Sequence, residues 1–158
     1  VKIKDLIAAV AESLQTWVAS NKGDLRIADD PTDPYILLAG SGFKGLVVVL
    51  SFADALPAGG STLASQMREV ALEVFVGHPI DMRADPGAWL FKDAPAHGQK
   101  ALLTHMDELC DELFAIEFEE PSTATAVAED MGMTSVSLPD GVPLRAYKQR
   151  VKWTVRVG

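Results

Sequence analysis

The sequence is poor in the residue types that most often announce chemistry. It holds a single cysteine, Cys110, which excludes an internal disulfide and suits a reducing compartment. Cys110 falls on the apolar stripe of a helix with no basic neighbour in sequence to activate it, so it reads as a small core residue. The three histidines, His78, His97 and His105, form neither His-x-x-x-His nor His-Glu-x-x-His. The nearest approach to a metal cluster is His105 with Cys110 and Asp107 or Asp111. A spacing of five residues splays His105 and Cys110 apart on a helix, so no metal or cofactor is expected. Ser41 lies in Ala39-Gly40-Ser41-Gly42, which is not a Gly-x-Ser-x-Gly elbow, and the strand-like Leu46–Leu50 follows where a nucleotide loop needs a helix. Gly40-Ser41-Gly42 therefore reads as a hairpin turn, and no catalytic residue is expected.

Positive charge is also scarce. Fourteen Lys and Arg face twenty-two Asp and Glu, leaving a net charge of −8. Proteins that wrap nucleic acid normally present a basic face, so specific nucleic-acid binding is not expected. No run approaches the ~18 apolar residues of a membrane span. Val1–Ser20 reads as an amphipathic helix with charges inside it rather than a leader peptide, so the expectation is a soluble chain made in a cytoplasm.

What is present is core-forming. Apolar residues make up 48% of 158, enough for one domain spanning 1–158. The dominant stretch is Gln99–Phe118, where Leu102, Leu103, Met106, Leu109, Cys110, Leu113, Phe114 and Phe118 follow helical spacing. Lys100, Asp107, Glu108, Asp111, Glu112 and Glu117 occupy its other face, which should meet solvent or a basic partner. A first helix is expected from Ile3, Leu6, Ile7, Val10, Leu14, Trp17 and Val18, stopped at Asn21-Lys22-Gly23 by a glycine in the left-handed conformation.

Leu25–Ala28 and Tyr35–Leu38 read as short strands. Lys44–Phe52 and Met67–Val76 read as a long antiparallel hairpin whose loop, Ala53–Ser65, holds Pro57, Gly59 and Gly60. Gly77–Gly98 is irregular and contains Trp89, Leu90 and Phe91, which must fold back or dock into a neighbour. Glu119–Met133 reads as a linker or a poorly ordered arm, because its small polar residues form no stripe. Thr134–Leu138 and Tyr147–Val157 read as closing strands. The fold class expected is α+β, a mainly antiparallel sheet with two long helices packed on one face.

Charge is unevenly placed along the chain. Arg145, Lys148, Arg150, Lys152 and Arg156 fall in the last fourteen residues, whereas acids crowd Asp107–Glu120. This asymmetry calls for either internal pairing or head-to-tail contact between copies.

The order of first helix Ile3–Val18, hairpin Leu46–Phe52 with Val70–Val76, helix Leu102–Phe118 and final strand Tyr147–Val157 resembles the tail terminator (tail completion) proteins of long-tailed bacteriophages. The likeness is one of element order, and Glu119–Met133 is longer than the simple helix-to-strand link it leads one to expect. The resemblance implies a non-enzymatic virion protein at the tail–neck junction, a ring usually of six copies. Such a ring caps the tail tube, ends its polymerisation and meets the head-closure or connector protein, with DNA passing through and no membrane involved. Lys148, Arg150, Lys152 and Arg156 would meet acids such as Asp107, Asp111 and Glu112 of a neighbour, or the tube protein, with Gly59, Gly60 and Trp89 as further contacts. Two other readings stay open: another head–tail joining or minor tail protein, and a small cytoplasmic enzyme or ligand-binding domain using a cleft near His78, Trp89 and His97.

Overall fold

A computed structural model describes residues 3–28, 46–57, 66–79, 91–93, 100–116, 125–137 and 143–157. Within them the chain runs α1 (Ile3–Ser20), β1 (Asp24–Ala28), β2 (Val47–Pro57), β3 (Gln66–Pro79), α2 (Leu102–Phe114), β4 (Thr125–Ser137) and β5 (Pro143–Val157). The class is α+β. The strands form one five-stranded sheet in the order β1-β2-β3-β5-β4. Three of its pairings are antiparallel, but β1 lies parallel to β2, so the sheet is mixed. Residues 29–46 separate those two strands, more than the roughly dozen that a parallel connection requires.

The long hairpin forms in the expected place and outgrows its expected bounds. Val47 pairs with Gly77 at one end and Pro57 with Arg68 at the other, so residues 53–57 belong to strand rather than loop. The segment read as a linker or arm is corrected more sharply: Thr125–Ser137 is a full edge strand, laddered to β5 from Thr125↔Thr154 to Ser137↔Pro143. Its sequence shows no clean alternation because a bulge between Ala128 and Asp130 breaks the period of two. Backbone pairing against a fifteen-residue neighbour places it, which is why local propensity is silent. Pro143 stands at the first residue of β5, the strand position where a missing N–H costs least. The expected strand Tyr35–Leu38 lies outside the described residues.

A single buried cluster contains residues of both helices and of three strands. Leu6, Val10, Leu14, Trp17 and Val18 of α1 and Leu102, Met106, Leu109 and Leu113 of α2 share it with Val48, Leu50, Val70, Leu72, Val74, Val76, Tyr147, Val151, Trp153 and Val155. The register explains the selection: Val48↔Val76↔Tyr147 and Leu72↔Val151 lie directly across one another, so their side chains share a face. The α1 stripe is buried as its spacing predicts. The α2 stripe is narrower than predicted, because Leu103 and Phe114 are exposed, Cys110 is half-buried, and His105 joins the buried row. Phe118 lies outside the described residues.

The end of α1 departs from expectation in an informative way. Lys22, not Gly23, takes the left-handed conformation, with φ 53°. The Gly23 N–H donates to the Val18 carbonyl at 2.9 Å and the Lys22 N–H to that of Ala19 at 3.1 Å, the paired bonds of a Schellman motif. Gly23 is required for a different reason. A Cβ there would stand 2.8 Å from the Leu46 carbonyl oxygen and 3.1 Å from Val18 Cγ1. One residue later the Asp24 N–H donates to that same Leu46 oxygen at 2.9 Å, which ties the start of β1 to the start of β2.

Candidate interaction surface

The sheet face turned away from the buried cluster has two unlike halves. One half is apolar and closed: Val47, Val49, Phe75 and Ala146 are all buried. The other half is charged and is organised by Arg150. Arg150 lies directly across from Glu73 on β3, and its Nη1 donates to Glu73 Oε1 at 3.1 Å. Its Nη2 reaches over β3 to Asp54 Oδ2 on β2, also at 3.1 Å. One residue pair along, Lys152 Nζ lies 3.5 Å from Glu69 Oε2.

Two bulges make this grouping possible. Counting by twos from Val48 would put Asp54 on the cluster face. The ladder instead passes from Phe52↔Leu72 to Asp54↔Ala71, so Ala53 is absorbed and Asp54 joins the charged face. On the other side of β5 the register passes from Ala128↔Val151 to Asp130↔Arg150, absorbing Glu129 and setting Asp130 level with Arg150. The forked guanidinium suits such a site because its donors are fixed in one plane and can serve two carboxylates together.

The residues singled out in the sequence are thus divided. Lys148, Arg150 and Lys152 share the charged side of β5, each half-buried. Arg156 is level with Met67. Asp107 and Asp111 are exposed on α2 and Glu112 is half-buried there. The partners that Arg150 and Lys152 show are strand acids, Asp54, Glu73 and Glu69, rather than the α2 acids. Internal pairing, one of the two outcomes the charge asymmetry called for, therefore accounts for these two cations. Gly59, Gly60 and Trp89 lie outside the described residues, as does His97 of the alternative cleft. The acids of β3 carried a signal that could have been used: Glu69 and Glu73 flank Ala71 at the same period as Arg150 and Lys152, but only the register reveals that the rows face each other.

The underside of α2 is a seat with polar fittings. The His105 ring meets the Trp17 ring edge to face, with centroids 6.0 Å apart and planes at 84°. Trp17 Nε1 donates to Glu108 Oε2 at 3.4 Å, and Lys100 Nζ donates to Glu108 Oε1 at 2.6 Å. At the start of the helix Asp93 Oδ1 accepts from the Ala101 N–H and from Thr104 Oγ1, both at 2.8 Å. These bonds, the backbone one first, hold the Asp93 carboxyl below the ordinary carboxylate range. Cys110 Sγ donates to Gln149 Oε1 at 3.7 Å. Burial raises the Cys110 thiol pKa, and the charges of Asp107 and Asp111 push it the same way, so the sulfur stays protonated and a poor nucleophile. Burial also lifts the Tyr147 phenol well above its usual value, and its hydroxyl has no partner among the described residues.

Among the described residues no three His, Cys, Asp or Glu side chains are grouped to hold a metal ion. No described helix is long and apolar enough to cross a membrane. No protein-family model matches this chain, and no curated protein matches it either.

Proposed function

We propose that this chain is a structural virion protein of the tail terminator kind, forming a ring that caps a phage tail tube, stops its growth and joins it to the head connector. The observation that carries the reading is the sheet that accompanies its two amphipathic helices. A hairpin of eleven- and fourteen-residue strands is closed by a fifteen-residue strand, with one face committed to the core and half of the other to paired charges. In this reading both helices share one face of the sheet, as their common buried cluster supports. The α2 acids Asp107 and Asp111 then point outward, available to a tube or connector protein.

The charged sheet face suits a surface past which DNA slides. Arg150 and Lys152 are matched by Glu73, Asp54 and Glu69, so these two cations are not left bare to hold phosphates. The deciding experiment is native mass measurement with negative-stain microscopy of the purified chain, followed by its addition to polymerising tube protein from the same genome. Closed rings that halt tubes at a fixed length are the expected result. A chain that stays monomeric at 100 µM (a concentration about tenfold above a micromolar Kd of roughly 10 µM) and leaves tube growth unchanged would refute the reading.

A further inference from the structure

The two helices are held with unequal strength. α1 runs eighteen residues, has Asp5 in its first turn and ends in the Schellman bonds described above. Its charges, Lys4, Asp5 and Glu12, form no like-charged pair four residues apart. α2 runs thirteen residues, about the length at which an isolated helix is marginal in water. It carries four acids, Asp107, Glu108, Asp111 and Glu112, and no lysine or arginine. Asp107 with Asp111 and Glu108 with Glu112 are like-charged neighbours one turn apart, which weakens a helix. Its first turn holds no acid and its last turn no base, so Asp111 and Glu112 place negative charge toward the negative end of the dipole. Ala101 supplies no side-chain cap, and the first turn borrows one from Asp93, outside the helix.

The seams beneath the helices differ in the same sense. α1 buries Leu6, Val10, Leu14 and Val18, with the Trp17 indole as the one polar group in its buried row. Among the described residues the buried polar side chains are His105 and Gln149, and both belong to the α2 seam. Trp17 joins them there, meeting His105 edge to face and donating to Glu108. Water replaces the partners of such groups when they separate, so parting this seam costs less than parting an apolar one of equal area.

We infer that α2 is a lid: it leaves the buried cluster and melts as a unit while α1 and the five strands stay folded. Opening breaks the Cys110–Gln149 and Trp17–Glu108 bonds and the ring contact, and leaves every strand pairing intact. The four acids set how often the lid opens, so neutralising them keeps it shut. The inference stands apart from the ring reading and concerns the single chain.

The test is native-state hydrogen exchange of the complete chain, followed by NMR at rising urea. The amides of Met106, Leu109 and Leu113 should exchange together, at least about tenfold faster than those of Leu14 and Leu72, and with a smaller urea slope. Two variants separate lid from body. Gly23→Ala loosens the body and should speed exchange at Leu14 and Leu72 while leaving α2 exchange unchanged. Asp111→Asn combined with Glu112→Lys removes both like-charged pairs and should slow α2 exchange by about three- to tenfold. Common rates and slopes for α2, α1 and β3 would overturn the inference, as would α2 exchange that speeds up with Gly23→Ala as the body does. Exchange of the α2 amides without a shared urea slope would show fraying of single bonds rather than a lid. A charge variant with α2 exchange no slower than wild type would equally count against it.

Discussion

Removing Arg150 should destabilise the folded monomer before it affects any contact between molecules. Arg150→Met keeps most of the stem and deletes the fork, leaving Glu73 and Asp54 facing each other without a cation. Arg150 retains 26% side-chain exposure, Glu73 21% and Asp54 38%, so the site is neither open water nor dry core. Fully exposed pairs contribute ~0–1 kcal/mol, and hydrogen bonds to charged groups ~1.5–3 kcal/mol. The lower part of that span applies here, and Arg150→Met should cost about 1–2 kcal/mol at low salt. Glu73→Gln in the same background should recover part of the loss by removing carboxylate repulsion, giving a coupling of about 0.5–1.5 kcal/mol in a double-mutant cycle. At 1 M salt the screening length falls to about 3 Å and the coupling should shrink, though not vanish at half-buried groups. Urea denaturation of the four proteins at two salt concentrations measures this directly. A coupling indistinguishable from zero at low salt, or an Arg150→Met protein as stable as wild type, would refute the network as a stabilising unit.

Other perturbations follow from the same structure. Lys22→Gly should stabilise by up to ~1 kcal/mol in thermal melts, since it relieves a left-handed side chain, whereas Gly23→Ala should destabilise by pressing a methyl on the Leu46 carbonyl. Leu109→Asp should abolish folding, as a fully buried leucine becomes an unpaired carboxylate costing several kcal/mol, while Glu112→Lys should fold normally by circular dichroism. Asp93 has a folded-state pKa below its unfolded value, so its contribution is present above about pH 4 and is lost as pH falls through the folded pKa. The stability difference between wild type and Asp93→Asn should therefore close on acidification; a difference that widens would contradict the capping role.

How much of this could be read from sequence depended on how local each cause was. The α1 stripe was legible because Leu6, Val10, Leu14, Trp17 and Val18 encode their burial in spacing alone. The α2 stripe read too broadly, since Leu103 and Phe114 are apolar and near the seam, and hydrophobicity does not mark where the partner surface stops. β4 was missed because a non-local ladder to β5 decides its conformation and a bulge hides its period. The parallel pairing of β1 with β2 was equally out of reach, since Asp24–Ala28 carries no mark of direction. Of the candidate surface, the cations of β5 were visible, and Lys148, Arg150 and Lys152 fall at alternate register positions of that strand. Their partners were not, because Asp54 reaches Arg150 only after Ala53 shifts the count.

That shift has a consequence for how the chain can change length. In a regular strand, losing one residue turns every later side chain to the opposite face, exchanging core for solvent. Ala53 and Glu129 are exceptions, because the ladder already passes over them: Phe52 and Asp54, and Ala128 and Asp130, pair with adjacent residues across the gap. Loss of either would straighten its strand while every remaining side chain stayed on its present face. Loss of Ser51 or Ala55 would carry Asp54 or Leu56 across the sheet. The two bulges are thus the points at which this sheet could gain or shed a residue by single-codon insertion or deletion, and the strand segments between them should vary by substitution alone.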